Sequence, residues 1–148
     1  MKTSESGIRL IAKFEGFRSN PYLDAVGVPT IGYGNTFYPD NSKVTMNDAS
    51  ITEEKGRELL KVIVSGFEKE IAMLVNVCLN QNQWDAIVSF TYNLGATNLK
   101  SSTLLKRINS NPCDPDIAYQ FSQWNKAKGK TLLGLTRRRK EESDLYFK

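Results

Sequence analysis

From Thr52 onward the chain carries apolar residues at helical spacing without a break, and this stripe limits the possible folds more than any other feature. Leu59, Leu60, Ile63, Phe67, Ile71 and Leu74 recur at intervals of mostly three and four, so they share one helical face. Thr52 offers a hydroxyl to cap the first turn, and Glu53 and Glu54 follow where the positive end of the helix dipole favours carboxylates. The spacing predicts one helix from about Thr52 to Asn76, with Gly66 as its weak point.

A shorter stripe opens the chain. Ile8, Ile11, Ala12 and Glu15 stand at i, i+3, i+4 and i+7, with Phe14 beside them, and Gly16 supplies a stop. Between the two stripes the punctuation changes. Tyr22–Ala25 and Thr30–Gly34 read as strands joined by Val26-Gly27-Val28-Pro29, a hairpin with a four-residue connection. A loop is expected from Thr36 to Asn41, and Lys43–Met46 reads as a third short strand. Beyond the long helix, periodicity and breakers predict helices at about Asn82–Asn93, Ser102–Asn109, Pro115–Gln123 and Gly134–Phe147. The expected class is α+β in a single domain. A small hairpin-bearing lobe (about 15–51) is joined by a connecting helix (about 52–76) to a larger helical lobe (about 77–148 with 1–14). Two lobes on one chain leave a cleft in which a polymer can lie.

The 148 residues suit one domain, and 40% hydrophobic content is ordinary for a chain that buries a core. Met1–Lys13 is too polar for a secretory leader and no window is apolar enough to span a membrane, so a cytoplasmic protein is expected. Cys78 and Cys113 have no metal-ligand or CxxC spacing and are read as buried free thiols, with a disulfide left open. The absence of histidine removes Ser-His-Asp and Cys-His nucleophilic machinery and nearly all zinc chemistry. Any catalysis must then run on carboxylates, hydroxyls, lysines or tyrosines. The net charge of +4 is uneven: residues 1–75 hold nine Lys/Arg against ten Asp/Glu, and residues 76–148 hold eleven against six. The basic excess between Lys126 and Lys140 suits a polyanionic partner, whether nucleic acid, membrane surface or cell wall.

Among the sixteen acidic residues, Glu15 lies on the apolar face of its helix and in the last turn, where the dipole opposes a negative charge. Both effects favour the protonated carboxyl, the form a general acid needs. A helix-end glutamate satisfied by an arginine is the plainer alternative. Asp24 and Thr30 follow after a glycine stop and within the hairpin, which can return both toward Glu15. A second carboxylate with a hydroxyl beside it can position and deprotonate water. A turn aspartate and a mere β-former are the corresponding structural alternatives.

Glu15, Asp24 and Thr30 stand in a Glu-x8-Asp-x5-Thr spacing, flanked by Phe14-Glu15-Gly16 and Thr30-Ile31-Gly32-Tyr33-Gly34. Ser89-Phe90-Thr91-Tyr92-Asn93-Leu94-Gly95, Ser102-Thr103-Leu104-Leu105, Trp124, Gly134-Leu135, Arg138-Arg139, Glu142 and Leu145 follow in order. With these blocks the chain resembles, over almost its whole length, the T4-lysozyme-like phage lysozymes (endolysins) of glycoside hydrolase family 24. The resemblance implies cleavage of the β-1,4 bond between N-acetylmuramic acid and N-acetylglucosamine in peptidoglycan, with inversion. Glu15 would protonate the leaving oxygen, and Asp24 and Thr30 would hold and activate water. Arg138 or Arg139 is expected to support Glu15, with a solvated helix face as the alternative for both. Tyr33, Gly34, Phe121, Trp124 and Asn125 are the expected substrate contacts, though core packing competes for the aromatics.

The resemblance further implies a monomer with no cofactor or metal, no nucleic-acid partner and no stable membrane association. The enzyme would stay in the host cytoplasm until a separate holin-like protein opens the way to the wall. One departure stands out: relatives commonly carry histidine where this chain has Asn35, which bears on local stability more than on activity. The alternatives are a lytic transglycosylase of similar fold, which needs no water-activating pair, and a non-catalytic wall-binding module, which would lack a member of the triad.

Overall fold

The computed structural model describes residues 1–148 and shows seven helices with two small antiparallel hairpins. In chain order these are α1 (Glu5–Glu15), β1 (Arg18–Leu23), β2 (Pro29–Gly32), α2 (Glu53–Leu74), α3 (Gln81–Leu94), α4 (Ala96–Ser101), α5 (Thr103–Ser110), α6 (Asp116–Ser122), β3 (Lys126–Ala127), β4 (Lys130–Thr131) and α7 (Leu133–Tyr146). This is the expected α+β class. The chain divides into two compact units: Ile8–Gly66, which bears the first hairpin, and Met1–Gly7 with Phe67–Lys148, which is mainly helical.

In the hairpin-bearing unit, the opening stripe buries Ile8, Ile11 and Ala12. Gly16 ends α1 at φ +72°, its N–H still reaching the Ala12 carbonyl at 3.1 Å. The chain then enters β1, which pairs with β2 as Arg18↔Gly32, Tyr22↔Thr30 and Leu23↔Pro29. The register shifts between Arg18 and Tyr22, where Pro21 has no N–H to give to a ladder. Ile31, Val44 and Leu59 form a buried cluster, covered by Tyr38 and Ile51, so the first half of α2 is anchored to β2. Thr52 caps α2 as its sequence suggests, its Oγ1 accepting the Lys55 N–H at 3.1 Å.

Two details differ from the sequence reading. The hairpin connection is Asp24–Val28, because the Asp24 side chain organises the turn and so leaves the strand. The expected strand Lys43–Met46 is reduced to a single bridge, Phe37↔Lys43. Asp48 takes both the Thr45 N–H (2.9 Å) and the Thr45 hydroxyl (2.6 Å), closing a turn where the strand would have continued. Asn35, where relatives commonly carry histidine, is 2% exposed and donates from Nδ2 to the Leu59 carbonyl at 3.1 Å. It therefore ties β2's exit to α2.

The helical unit is built around α3, buried without interruption from Gln83 to Thr91. Asn80 and Gln83 close a capping box at its start, each side chain satisfying the other's backbone N–H. α3 packs on α7, and α7 on α6. The N-terminal arm is fastened to this unit by two carboxylates. Glu68 Oε1 accepts the Thr3 N–H (2.7 Å) and hydroxyl (2.8 Å), and Asp85 accepts the Ser4 N–H (3.0 Å) and hydroxyl. Gly7 allows this closeness: a Cβ there would stand 2.8 Å from the Asp85 carboxyl carbon.

Here the sequence reading missed α4 and the β3–β4 hairpin. α4 has six residues and buries only Leu99, so it leaves no periodic signal. Each strand of the hairpin has two residues. The cysteines are also corrected: both are free but exposed, since Cys78 lies in the α2–α3 connection and Cys113 in the α5–α6 connection.

Candidate active site

Glu15 is the last residue of α1 and half-buried, immediately before the Gly16 reversal. Eight residues intervene before Asp24, which opens the β1–β2 turn. Its Oδ1 accepts two backbone N–H groups, from Val26 and Val28, each at 2.9 Å. Its own N–H donates to the Val28 carbonyl at 3.0 Å, and its carbonyl accepts from Gly27 at 3.0 Å. Both side-chain bonds fall on one oxygen, so Oδ2 keeps its acceptor capacity.

Thr30 sits on β2 opposite Tyr22 and is 3% exposed. Its hydroxyl donates to the Val28 carbonyl at 2.8 Å. With its one proton committed, Oγ1 can only accept from a further partner. Asp24 and Thr30 are thus fixed to the same residue, Val28, and each presents an acceptor. The turn reading of Asp24 is correct as far as it goes, but it uses half the carboxylate.

The expected substrate contacts divide. Phe121 is fully buried, edge-on to Phe90 (ring centroids 5.9 Å apart) and near Tyr146 (5.8 Å), so the core takes it and it has no face for a sugar. Tyr33 is 2% exposed and rests on Phe17 (5.4 Å), with its hydroxyl donating to Glu53 at 3.1 Å. Burial first, then the Glu53 carboxylate, push its phenol above the ordinary range. Gly56 lets these rings approach α2, because a Cβ there would meet Phe17 at 2.6 Å. Gly34 is exposed at φ +92°. Trp124 is half-buried with its ring edge-on to Phe90 (5.5 Å), and Asn125 is half-buried and bonded to Thr136 at 3.3 Å.

Arg138 and Arg139 are not a solvated helix face. Both are buried and converge on Glu142, itself fully buried, one turn along α7. Arg138 Nε lies 3.2 Å from Oε1, and Arg139 reaches Oε1 at 3.0 Å and Oε2 at 2.8 Å. The Ser89 hydroxyl donates to Oε1 at 2.7 Å, and Arg138 returns a bond to the Ser89 carbonyl at 3.2 Å. Burial pushes the Glu142 carboxyl up, against the pull of Arg139, Arg138 and the Ser89 hydroxyl. Sequence reasoning used Glu142 only as part of a matching block. The available signal was its i+3 and i+4 spacing from two arginines. No group of three or more Cys, Asp or Glu side chains is arranged to hold a metal ion, and no helix is long and apolar enough to cross a membrane.

A family model described as Phage lysozyme matches residues 12–142. The chain is 38% identical over 143 residues to the endolysin of Salmonella phage P22, covering 97% of each. The structure of a mutant of that P22 lysozyme superposes with a TM-score of 0.90, covering 100% of this chain and 99% of that one. Identity to the endolysin of Bacillus phage B103 is 39% over 147 residues, where this chain spans only 54% of the relative's length. The muramidase domain of SpmX from Asticaccaulis excentricus is similar at 30% identity, with a TM-score of 0.85 over 99% of this chain and 98% of that one.

Proposed function

The chain belongs to the phage lysozyme family and is a glycoside hydrolase of the muramidase type, and from that premise we propose that it cleaves the β-1,4 bond between N-acetylmuramic acid and N-acetylglucosamine in peptidoglycan. Glu15 gives its proton to the leaving glycosidic oxygen as the carbon–oxygen bond breaks. A water molecule attacks the anomeric carbon from the opposite face and loses its proton to Asp24. Thr30, whose hydroxyl proton is already committed to Val28, accepts a hydrogen bond from that water and so orients it. This division of labour makes the reaction inverting, with no covalent intermediate.

The observation that carries the reading is the shared anchoring of Asp24 and Thr30 to Val28, which leaves a carboxylate oxygen on one and a hydroxyl oxygen on the other with acceptor capacity. A lytic transglycosylase has no use for such a pair. The support expected from Arg138 or Arg139 toward Glu15, and the sugar contacts of Tyr33, Gly34, Trp124 and Asn125, are proposed on the resemblance. So are the monomeric state, action on the wall after release from the host cytoplasm, and dependence on a holin-like protein for that release.

Mass spectrometry of digested peptidoglycan tests the reaction. Reducing muramic acid ends are expected, and Glu15→Gln should abolish their release. Products ending in 1,6-anhydromuramic acid would convict the transglycosylase alternative, and continued turnover by Glu15→Gln would remove the proposed acid.

A further inference from the structure

The connection between α2 and α3 leaves a hollow of about 320 Å³ walled by Val75, Val77, Leu79 and Trp84, with Met1 and the exposed Cys78 also lining it. None of Glu15, Asp24 and Thr30 contributes to it, and no lining side chain carries a charge, a hydroxyl or an amide. Its walls are held from several sides. The Asn109 side chain accepts the Asn76 N–H and donates to the Leu74 carbonyl, each at 2.9 Å, which fixes the exit from α2. Asn80 closes the connection as the cap of α3. Met1 is brought to the hollow by its neighbours: the Lys2 carbonyl accepts from Gln81 at 2.8 Å, and the Thr3 N–H donates to Glu68 at 2.7 Å.

Trp84 is the member that a merely apolar hollow does not explain. It is 4% exposed, and its indole Nε1 is buried with no acceptor. A buried tryptophan N–H ordinarily finds a partner, because a donor taken from water without replacement is unfavourable. None of the side chains around the hollow offers it an oxygen. The volume stands near the lower limit of ligand sites, about 300 Å³, so the occupant is small. Apolar walls call for an apolar body, and the orphaned N–H calls for one acceptor oxygen. A charged molecule would lose its water against these walls without compensation.

We propose that this hollow binds a small apolar molecule with a single carbonyl group, a short-chain ketone or ester, whose oxygen accepts the Trp84 indole N–H. Met1 is 55% exposed and shifts as the ligand enters. The site uses none of the residues assigned to hydrolysis and stands apart from the glycosidase reading.

The test is an NMR titration of the isotope-labelled full chain with 2-heptanone, read at the indole N–H signals of Trp84 and Trp124. The Trp84 signal should move downfield to saturation, as a donor does on gaining an acceptor, while the Trp124 signal stays in place. The ketone should also slow maleimide modification of Cys78 and leave that of Cys113 unchanged. Trp84→Phe, followed at the amide signals of Val77 and Leu79, should weaken ketone binding about tenfold, the worth of one hydrogen bond. It should leave little changed the affinity for 2-methyl-1-heptene, which keeps the shape and lacks the oxygen. A Trp84 signal that stays still, or moves only in step with that of Trp124, would overturn the proposal. Equal weakening for ketone and alkene would reject it too, leaving a hollow without carbonyl recognition. If Trp84→Phe does not fold, the indole signals and the thiol labelling of the unaltered chain still decide. No peptidoglycan enters these measurements, so their failure leaves the glycosidase reading to product analysis alone.

Discussion

Asp24 stands half-buried in a turn and receives two neutral backbone N–H groups on one oxygen, whereas Glu142 is fully buried and receives two guanidiniums and a hydroxyl on Oε1, with Arg139 Nε a further 2.8 Å from Oε2. Each carboxylate is held firmly, but by different means. The α7 cluster answers Glu142's charge with two guanidiniums, and desolvation makes every member dependent on the others. The β1–β2 turn holds its carboxylate with neutral backbone donors and leaves Oδ2 available. A buried carboxylate enclosed by two guanidiniums serves structure. A partly matched carboxylate near solvent can also serve chemistry.

The largest stability effect should come from breaking the α7 cluster. Glu142→Ala leaves two buried guanidiniums without their carboxylate and should cost roughly 3–5 kcal/mol, read as a lowered denaturation midpoint in urea. A loss under about 1 kcal/mol, the range of an exposed pair, would show that Arg138 and Arg139 find other partners and would dissolve the contrast. Gly56→Ala is a steric test at the open end of the same hairpin. Helix propensity alone favours the alanine, but its Cβ would meet the Phe17 ring at 2.6 Å. Overpacking of about 1–3 kcal/mol should win, again measured by urea denaturation. Asn80→Ala removes half of the α3 capping box and should cost about 1 kcal/mol, seen as a modest fall in thermal midpoint.

The smallest effect is a pH dependence. Hydrogen bonds from Thr45 first, then from Tyr38, hold the Asp48 carboxyl below its ordinary value of 3.8. A group depressed on folding binds its proton more readily when unfolded. Its contribution is therefore complete above pH 3.8 and is lost as pH falls through the lower folded value. Asp48→Asn should flatten that part of the acid limb in urea midpoints measured between pH 5 and pH 2. An acid limb identical to that of the unaltered chain would show that the Thr45 turn contributes nothing.

Local signals carried much of this architecture. Thr52, the Leu59–Leu74 stripe and Gly16 announced α2 and the end of α1, because caps, periodicity and a left-handed stop act within a few residues. The hairpin was legible as well, but its connection was misplaced, since Asp24's bonds to Val26 and Val28 depend on turn geometry rather than strand propensity. What escaped depends on distant partners. Phe121 became core because Phe90 and Tyr146 meet it, and Arg138 and Arg139 became interior because Ser89 and Glu142 do. Asp24 and Thr30 were visible as chemistry-bearing types at a spacing; their common anchor at Val28 was not.

The central claim is that Asp24 does two separable jobs, shaping the turn with Oδ1 and taking the water's proton with Oδ2. Asp24→Asn keeps a carbonyl oxygen for Val26 and Val28 and removes the base. Peptidoglycan hydrolysis and urea denaturation of this one variant should part company: stability within about 0.5 kcal/mol of the unaltered chain, activity down by about 100-fold or more. Activity close to that of the unaltered chain, or a stability loss large enough to account for the lost activity, would contradict it.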